Sequence, residues 1–221
     1  MKFIFFLVLT TLAIFACSQP DTPKKRTLDC YIRFDEAQGT VMADASFQET
    51  TPEANKPVEM PGGVFYQNVA MELLPIQGMT YRKEYPAGFM REHTFRWEEA
   101  AGKSASFTMR MNPLKEFGFG GDTVWHDRPA TLKWKGPGLE KGEALVLIWE
   151  QKNAGKTVSM ELITIGNDAA IYFPAAKMAQ LSPGNWTVYL VRKKLSKSLG
   201  NNTGVTCTAE LYSRIKAIRV L

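Results

Sequence analysis

Residues 40–47 read "TVMADASF". Val41, Ala43, Ala45 and Phe47 fall on alternate positions, with Met42, Asp44 and Ser46 between them. Successive side chains of an extended chain point to opposite faces, so this period of two predicts a strand with one buried face. The same kind of short apolar or alternating run recurs along the chain: "LDCYIRF" (28–34), "NVAMELL" (68–74), "MTYRKEY" (79–85), "HTFRWEE" (93–99) and "SASFTMRM" (104–111). After these come "ATLKWKG" (130–136), "EALVLIWEQ" (143–151), "TVSMELITI" (157–165), "AAIYF" (169–173) and "NWTVYLVRKK" (185–194). A last strand or pair lies within "VTCTAELYSRIKAIRVL" (205–221). Turn material such as "MPGG", "IQG" and "EAAGK" separates them. About a dozen short strands spaced in this way predict an all-β antiparallel sandwich. One helical turn is expected, in "PAAKMAQLSPG" (174–184), closed by a proline and a glycine.

The strand phases assign a core. Leu145, Leu147 and Trp149 share one face, and Trp186, Val188 and Leu190 another. Two such faces packed about 10 Å apart make a sandwich interior. The order "PATLKWKGPGLEKGEALVLIWEQ", "AAIYFPAAKMAQLSPGNWTVYLVRKK", "AELYSRIKAIRVL" from Pro129 to Leu221 resembles the immunoglobulin-like β-sandwich of exported Bacteroidetes lipoproteins, many of unknown function. The resemblance covers under half of the chain and implies fold rather than activity. Glycines cluster and periodicity fails in "NPLKEFGFGGDTVWHDRP" (112–129). Residues 28–221 therefore read as one β unit or as two β subdomains divided within 112–128.

The N-terminus carries an address. Lys2 is followed by "FIFFLVLTTLAIFA" (3–16), apolar but shorter than the roughly 20 helical residues that span a bilayer, which predicts a secretory signal over 1–16. Ile14 and Ala16, at −3 and −1 from Cys17, resemble the lipobox of bacterial lipoproteins. The resemblance implies that Cys17 is acylated and becomes the mature N-terminus, its chains making membrane attachment stable. A plain signal with Cys17 an ordinary residue near the cut is the alternative. Residues 17–27, with two prolines and no apolar residue after the cysteine, read as a flexible tether. In it Lys24, Lys25 and Arg26 read as a solvated charge run, with anionic head groups as the alternative contact. Ser18 after the cysteine implies, by the same resemblance, an outer-membrane lipoprotein in the cell envelope. A single acid, Asp21, among lysines favours the periplasmic face over the cell surface.

With Cys17 lipidated, Cys30 and Cys207 form an even pair in an oxidising compartment, and a disulfide between them is expected. Closing so long a loop would contribute roughly 4 to 5 kcal/mol in the chain-entropy model. Pairing would also bring the first strand beside the last and favour one unit.

Little chemistry for catalysis is present. The net charge of +5, reduced by the loss of Lys2, is weak evidence for a nucleic-acid partner. His93 and His126 stand apart, and neither lies in a nucleophile, phosphate-loop or zinc motif. Asp122, His126 and Asp127 lie close in sequence, but a loop histidine beside an acid more often makes a surface hydrogen bond than a metal site. Glu98 and Glu99 are adjacent on a strand and so face opposite ways, which spoils them as an acid/base pair. No enzyme, cofactor or metal is expected.

A binding role is expected instead, toward a glycan or an envelope protein. Its candidate residues are the aromatics in or beside glycine-rich segments, Trp125, Phe117, Phe119 and Tyr66. Trp97, Trp134, Trp149 and Trp186 sit in strand patterns and are assigned to the core, leaving Trp125 as the exposed tryptophan. The rival class is an accessory subunit of an outer-membrane assembly, docking through an exposed strand edge without a small ligand.

Overall fold

The computed structural model describes residues 25–221 apart from 52–53, 76–77, 100–102, 163–167 and 200–202. The signal, Cys17 and Lys24 lie outside the described residues. In the first half, the strands are β1 (Lys25–Asp35), β2 (Thr40–Thr50), β3 (Asn55–Pro57), β4 (Val64–Tyr66), β5 (Val69–Ala70), β6 (Glu72–Leu74), β7 (Thr80–Pro86), β8 (Glu92–Glu98) and β9 (Ser104–Arg110). The second half supplies β10 (Lys115–Gly118), β11 (Thr123–Val124), β12 (Ala130–Lys135), β13 (Glu143–Gln151), β14 (Lys156–Leu162), β15 (Ala170–Phe173), β16 (Gly184–Leu199), β17 (Thr203–Tyr212) and β18 (Lys216–Val220). The expected helical turn is α1 (Ala175–Met178). No helix among the described residues is long and apolar enough to cross a membrane.

The expected all-β class, an immunoglobulin-like sandwich, is what forms. One large sheet runs β11-β18-β16-β17-β1-β2-β7-β6, with β13 on the other edge of β16, β14 on β13, and β3 on β2. Two smaller sheets cover its inner face. The sheet β5-β4-β8-β9 packs on the first-half strands, where Phe47 of β2 meets Trp97 of β8 at 5.6 Å between ring centres. The sheet β10-β12-β15 packs on the second-half strands, where Phe173 of β15 and Trp149 of β13 both meet Phe119, at 6.2 and 5.4 Å. Val41, Ala43, Ala45 and Phe47 are all fully buried, as their alternation requires. Trp97, Trp134, Trp149 and Trp186 are buried as well.

A parallel ladder between β1 and β17, from Arg26↔Thr203 to Asp35↔Tyr212, joins the two halves of the chain in one sheet. The first strand therefore lies beside the penultimate one rather than the last, and not through the expected disulfide. Cys30 and Cys207 are register partners, both buried, and both are free thiols. Burial, helped by a hydrogen bond with Cys207, pushes the Cys30 thiol well up, away from the thiolate that redox or nucleophilic work requires.

Two boundaries also shift. Lys25, Arg26 and Thr27, expected in the tether, already pair with Thr50, Glu49 and Gln48. The 112–129 stretch, expected to lack regular structure, contains β10, antiparallel to β12, and β11, parallel to β18. Its entry is pinned from below: Arg192 of β16, wholly buried, donates to the carbonyls of Pro113 (3.4 Å), Pro137 (3.1 Å) and Gly138 (2.7 Å) and meets Glu143 at 2.5 Å.

Candidate functional site

Backbone pairing fixes Trp125. Thr123 and Val124 pair with Arg219 and Val220, the Leu221 amide donates to the Val124 carbonyl (2.9 Å), and the His126 amide donates to the Leu221 carbonyl (3.0 Å). Val124 is buried in this short strand, so the next side chain turns outward, and the Trp125 indole stays 42% exposed. The Arg128 guanidinium lies over it, 5.2 Å from the ring centre. Beside the indole opens a cleft of about 370 Å³, walled by Phe119, Thr123, Pro129, Thr131 and Lys133, with Gly120 in the left-handed region (φ +86°) at its edge. Phe119 is wedged by its contacts to Trp149 and Phe173, so this wall is anchored to the core.

A second exposed aromatic lies next to a residue of the cleft wall. Tyr172 of β15 is the cross-strand partner of Thr131, on the same face of the small sheet, and is 64% exposed. An exposed ring in the cleft wall, with the Thr131 hydroxyl and the Lys133 ammonium in the same wall and a further exposed ring next to Thr131, offers apolar faces for stacking and polar groups for orientation.

The other candidates fare differently. Tyr66 and Phe117 are buried and belong to the core. Each lies in a strand of three or four residues whose pairing sets an inward phase, Tyr66 opposite Phe95 and Phe117 opposite Trp134. Tyr66 meets His93, itself buried, at 2.5 Å from hydroxyl to Nδ1. His126 makes a hydrogen bond, though to backbone: its Nδ1–H donates to the Leu221 carbonyl at 2.7 Å. Asp127 approaches Arg128 at 3.9 Å, while the Asp122 carbonyl accepts the Arg219 amide. Glu98 faces Arg96 (3.7 Å) and Glu99 accepts the Thr203 hydroxyl (3.2 Å).

No family model matches the sequence, and no curated protein is significantly similar to it. Among solved structures, fibronectin(III)-like modules of CbhA from Clostridium thermocellum align over 86% of this chain and 94% of theirs, at 8% identity and a TM-score of 0.23. The SGBP-B protein of a Bacteroides ovatus mixed-linkage glucan utilization locus, solved with a mixed-linkage heptasaccharide, aligns over 85% of this chain and 60% of its own, at 12% identity and a TM-score of 0.21. At such scores neither likeness bears on what this chain binds.

Other concavities are present among the described residues, the most spacious of them, about 510 Å³, lying among Trp97, Lys103, Phe107 and Thr203, and two more bear comparison with the Trp125 cleft. One, of about 250 Å³ on the outer face of the large sheet, is lined by Arg33, Asp35, Glu150, Tyr189 and Tyr212. Its groups are engaged with one another. Tyr31 and Tyr212 both donate to Glu210 at 2.8 Å, Lys193 meets Glu210 at 3.1 Å, and Arg33 lies 4.2 Å over the Tyr212 ring. Burial pushes the Glu210 carboxyl up, but these hydrogen bonds outweigh it and hold the group below the usual carboxylate range. The other, about 290 Å³, opens among Phe34, Phe89, Leu114 and Leu211, and its rim cation Arg214 faces Glu36 at 3.9 Å. Neither presents a ring as exposed as Trp125 or Tyr172.

Proposed function

We propose that this chain is a non-catalytic, lipid-anchored envelope protein that recognises a glycan at the Trp125 cleft. The observation that carries this reading is an indole held outward by backbone pairing in the wall of a concavity, with exposed Tyr172 the cross-strand partner of wall residue Thr131. Sugar rings present apolar faces that stack on such rings, and their hydroxyls find partners in Thr131 and Lys133. Anchoring follows from the lipobox-like residues before Cys17, with the outer membrane and its periplasmic face as the favoured site.

Titration of the protein with oligosaccharides selected on a glycan array tests the first part. Trp125→Ala is expected to weaken binding by at least about tenfold, the mark of a central aromatic anchor, and Tyr172→Ala by less. A blank array together with a reproducible cross-linked protein partner would overturn the glycan assignment. Anchoring is checked separately: Cys17→Ala protein should leave the membrane fraction, and its retention there would sink the lipoprotein reading.

The accessory-subunit reading has one observation of its own. Strand β9 ends its sheet, pairing with β8 alone among the described residues, and from Ser104 to Met109 it carries no charge. Such an edge suits strand addition by a partner protein.

A further inference from the structure

The lipid-anchoring reading leaves open how the body of the protein meets the bilayer, and register answers it. Strand β1 begins at Lys25, and eight residues from Cys17 reach at most about 29 Å. The end of the large sheet where β1 starts therefore stays near any membrane that holds Cys17. The β16–β17 hairpin closes at this same end: Leu199 pairs with Gly204, which pairs with Thr27. Leu199 is 89% exposed, the most exposed of the large apolar residues described. Met79, 37% exposed, precedes Thr80, whose register partner Ser46 pairs with Asp29 two residues above Thr27.

Cations gather around these side chains. Lys25 pairs with Thr50, which pairs with Asn55, beside Lys56; Lys197 is level with Asp29 through Thr206. Lys103 belongs to the β8–β9 turn, which Glu99 ties to Thr203 at the start of β17. All four lysines are exposed. Among the carboxylates here, Glu49 faces Arg26 at 3.8 Å and Glu99 accepts Thr203, while Asp29, on the same rung as Lys197, and Glu59 are exposed, so the exposed lysines outnumber the exposed acids.

Resting on the anchoring reading, we propose that this end of the sheet is a bilayer-contact surface, Leu199 and Met79 entering the interface of an anionic phospholipid leaflet while Lys25, Lys56, Lys103 and Lys197 meet its head groups. Apolar side chains ringed by lysines suit that boundary, where the hydrocarbon stem of lysine lies along apolar material and the ammonium stays in water. The Trp125 cleft is held at the other end of β16. Val124 pairs with Val220, which pairs with Gly184, the first residue of a 16-residue strand whose last is Leu199. At about 3.3 Å per residue the two sites stand up to about 50 Å apart, so the cleft faces away from the surface that the tip touches.

The test uses the mature acylated protein reconstituted in vesicles of an even mixture of phosphatidylcholine and phosphatidylglycerol. An environment-sensitive fluorophore is placed by Leu199→Cys or, at the opposite end of the sheet, by Ile215→Cys, itself 53% exposed. A blue shift and quenching by lipid-borne quenchers at 199, with neither at 215, is the expected result. Joint replacement of the four lysines by glutamate should abolish the shift while the acylated protein stays on the vesicles. A label at 199 that reports water on vesicle-bound protein, or equal shifts at both positions, overturns the surface. Mass analysis of the N-terminal peptide reads acylation independently. Should Cys17 carry no acyl chain, anchoring fails, and the same two labels on the unacylated protein with these vesicles judge the surface alone.

Discussion

Arg192→Met is expected to lower the unfolding free energy by about 3 to 5 kcal/mol, the range for breaking one side of a buried ion pair. Both partners are wholly inaccessible, with guanidinium to carboxylate at 2.5 Å. Removing the cation leaves Glu143 inside the protein with the Glu140 amide (3.0 Å) and the Lys194 ammonium (3.5 Å) as remaining support. It also strips a donor from the carbonyls of Pro113, Pro137 and Gly138; the Pro137 carbonyl keeps the Trp134 indole N–H (3.1 Å), while a buried carbonyl left unpaired adds its own desolvation cost. Because Pro113 lies on the connection between β9 and β10, the damage should extend to the small sheet that supports Phe119 and the Trp125 cleft. The double variant Arg192→Met, Glu143→Leu should recover part of the loss, since no unpaired charge remains, but not all of it, since the Pro113 and Gly138 carbonyls still lack the arginine donor. Denaturant unfolding of the wild type, both single variants and the double variant closes the cycle. A single-variant loss below about 1 kcal/mol would mean that water or a rearranged Lys194 replaces the arginine and that the clamp is dispensable.

Much of this fold was legible because its longest strands are amphipathic. The Val41–Phe47 alternation and the placement of the four core tryptophans follow from period two, and the structure keeps both. What escaped were strands too short to show a period. Strands β4, β10 and β11 have two to four residues each, and pairing with longer neighbours sets their phase. Tyr66 and Phe117, judged by the glycines around them, were therefore misread as loop aromatics, whereas Trp125 turns outward after Val124. Tyr172 was within reach: with Ile171 and Phe173 inward, the residue between them must face out. The Arg192 clamp was also written in phase, two residues beyond Trp186, Val188 and Leu190, but a charge at a core position names no partner until Glu143 is brought opposite. Pairing the two cysteines by compartment and number gave the right neighbours. The disulfide itself is not formed in this structure, and the parallel ladder that aligns the two thiols is a long-range contact without a local signature.

The second large effect is a loss of stability on acidification that traces to one histidine. His93 follows the inward phase of Phe95 and Trp97, is 1% exposed, and stacks on Tyr66 at 6.0 Å between ring centres. Burial pushes the Tyr66 phenol up, so it keeps its proton, and its hydroxyl shares a hydrogen bond with Nδ1, while Nε2 is buried without a partner among the described residues. A second ring proton would place a charge in the core. Burial accordingly lowers the His93 value from 6.5 to about 4. Between those values the unfolded chain binds a proton that the folded chain refuses, so stability falls as pH drops through 6.5 and levels off below 4. The gap is worth roughly 3 kcal/mol for a fully developed shift. Carboxylates held low by their partners, such as Glu210, also lose stabilisation in acid, but this begins only as pH falls through the unfolded carboxylate value of 4.5. His93→Gln separates the two: its amide accepts the Tyr66 hydroxyl without titrating. Urea unfolding at intervals from pH 7 to pH 4 should show the wild type losing about 3 kcal/mol more than the variant, most of it between pH 6.5 and 4.5. Parallel profiles would mean that His93 is reached by water in the native state and titrates there as it does in the unfolded chain.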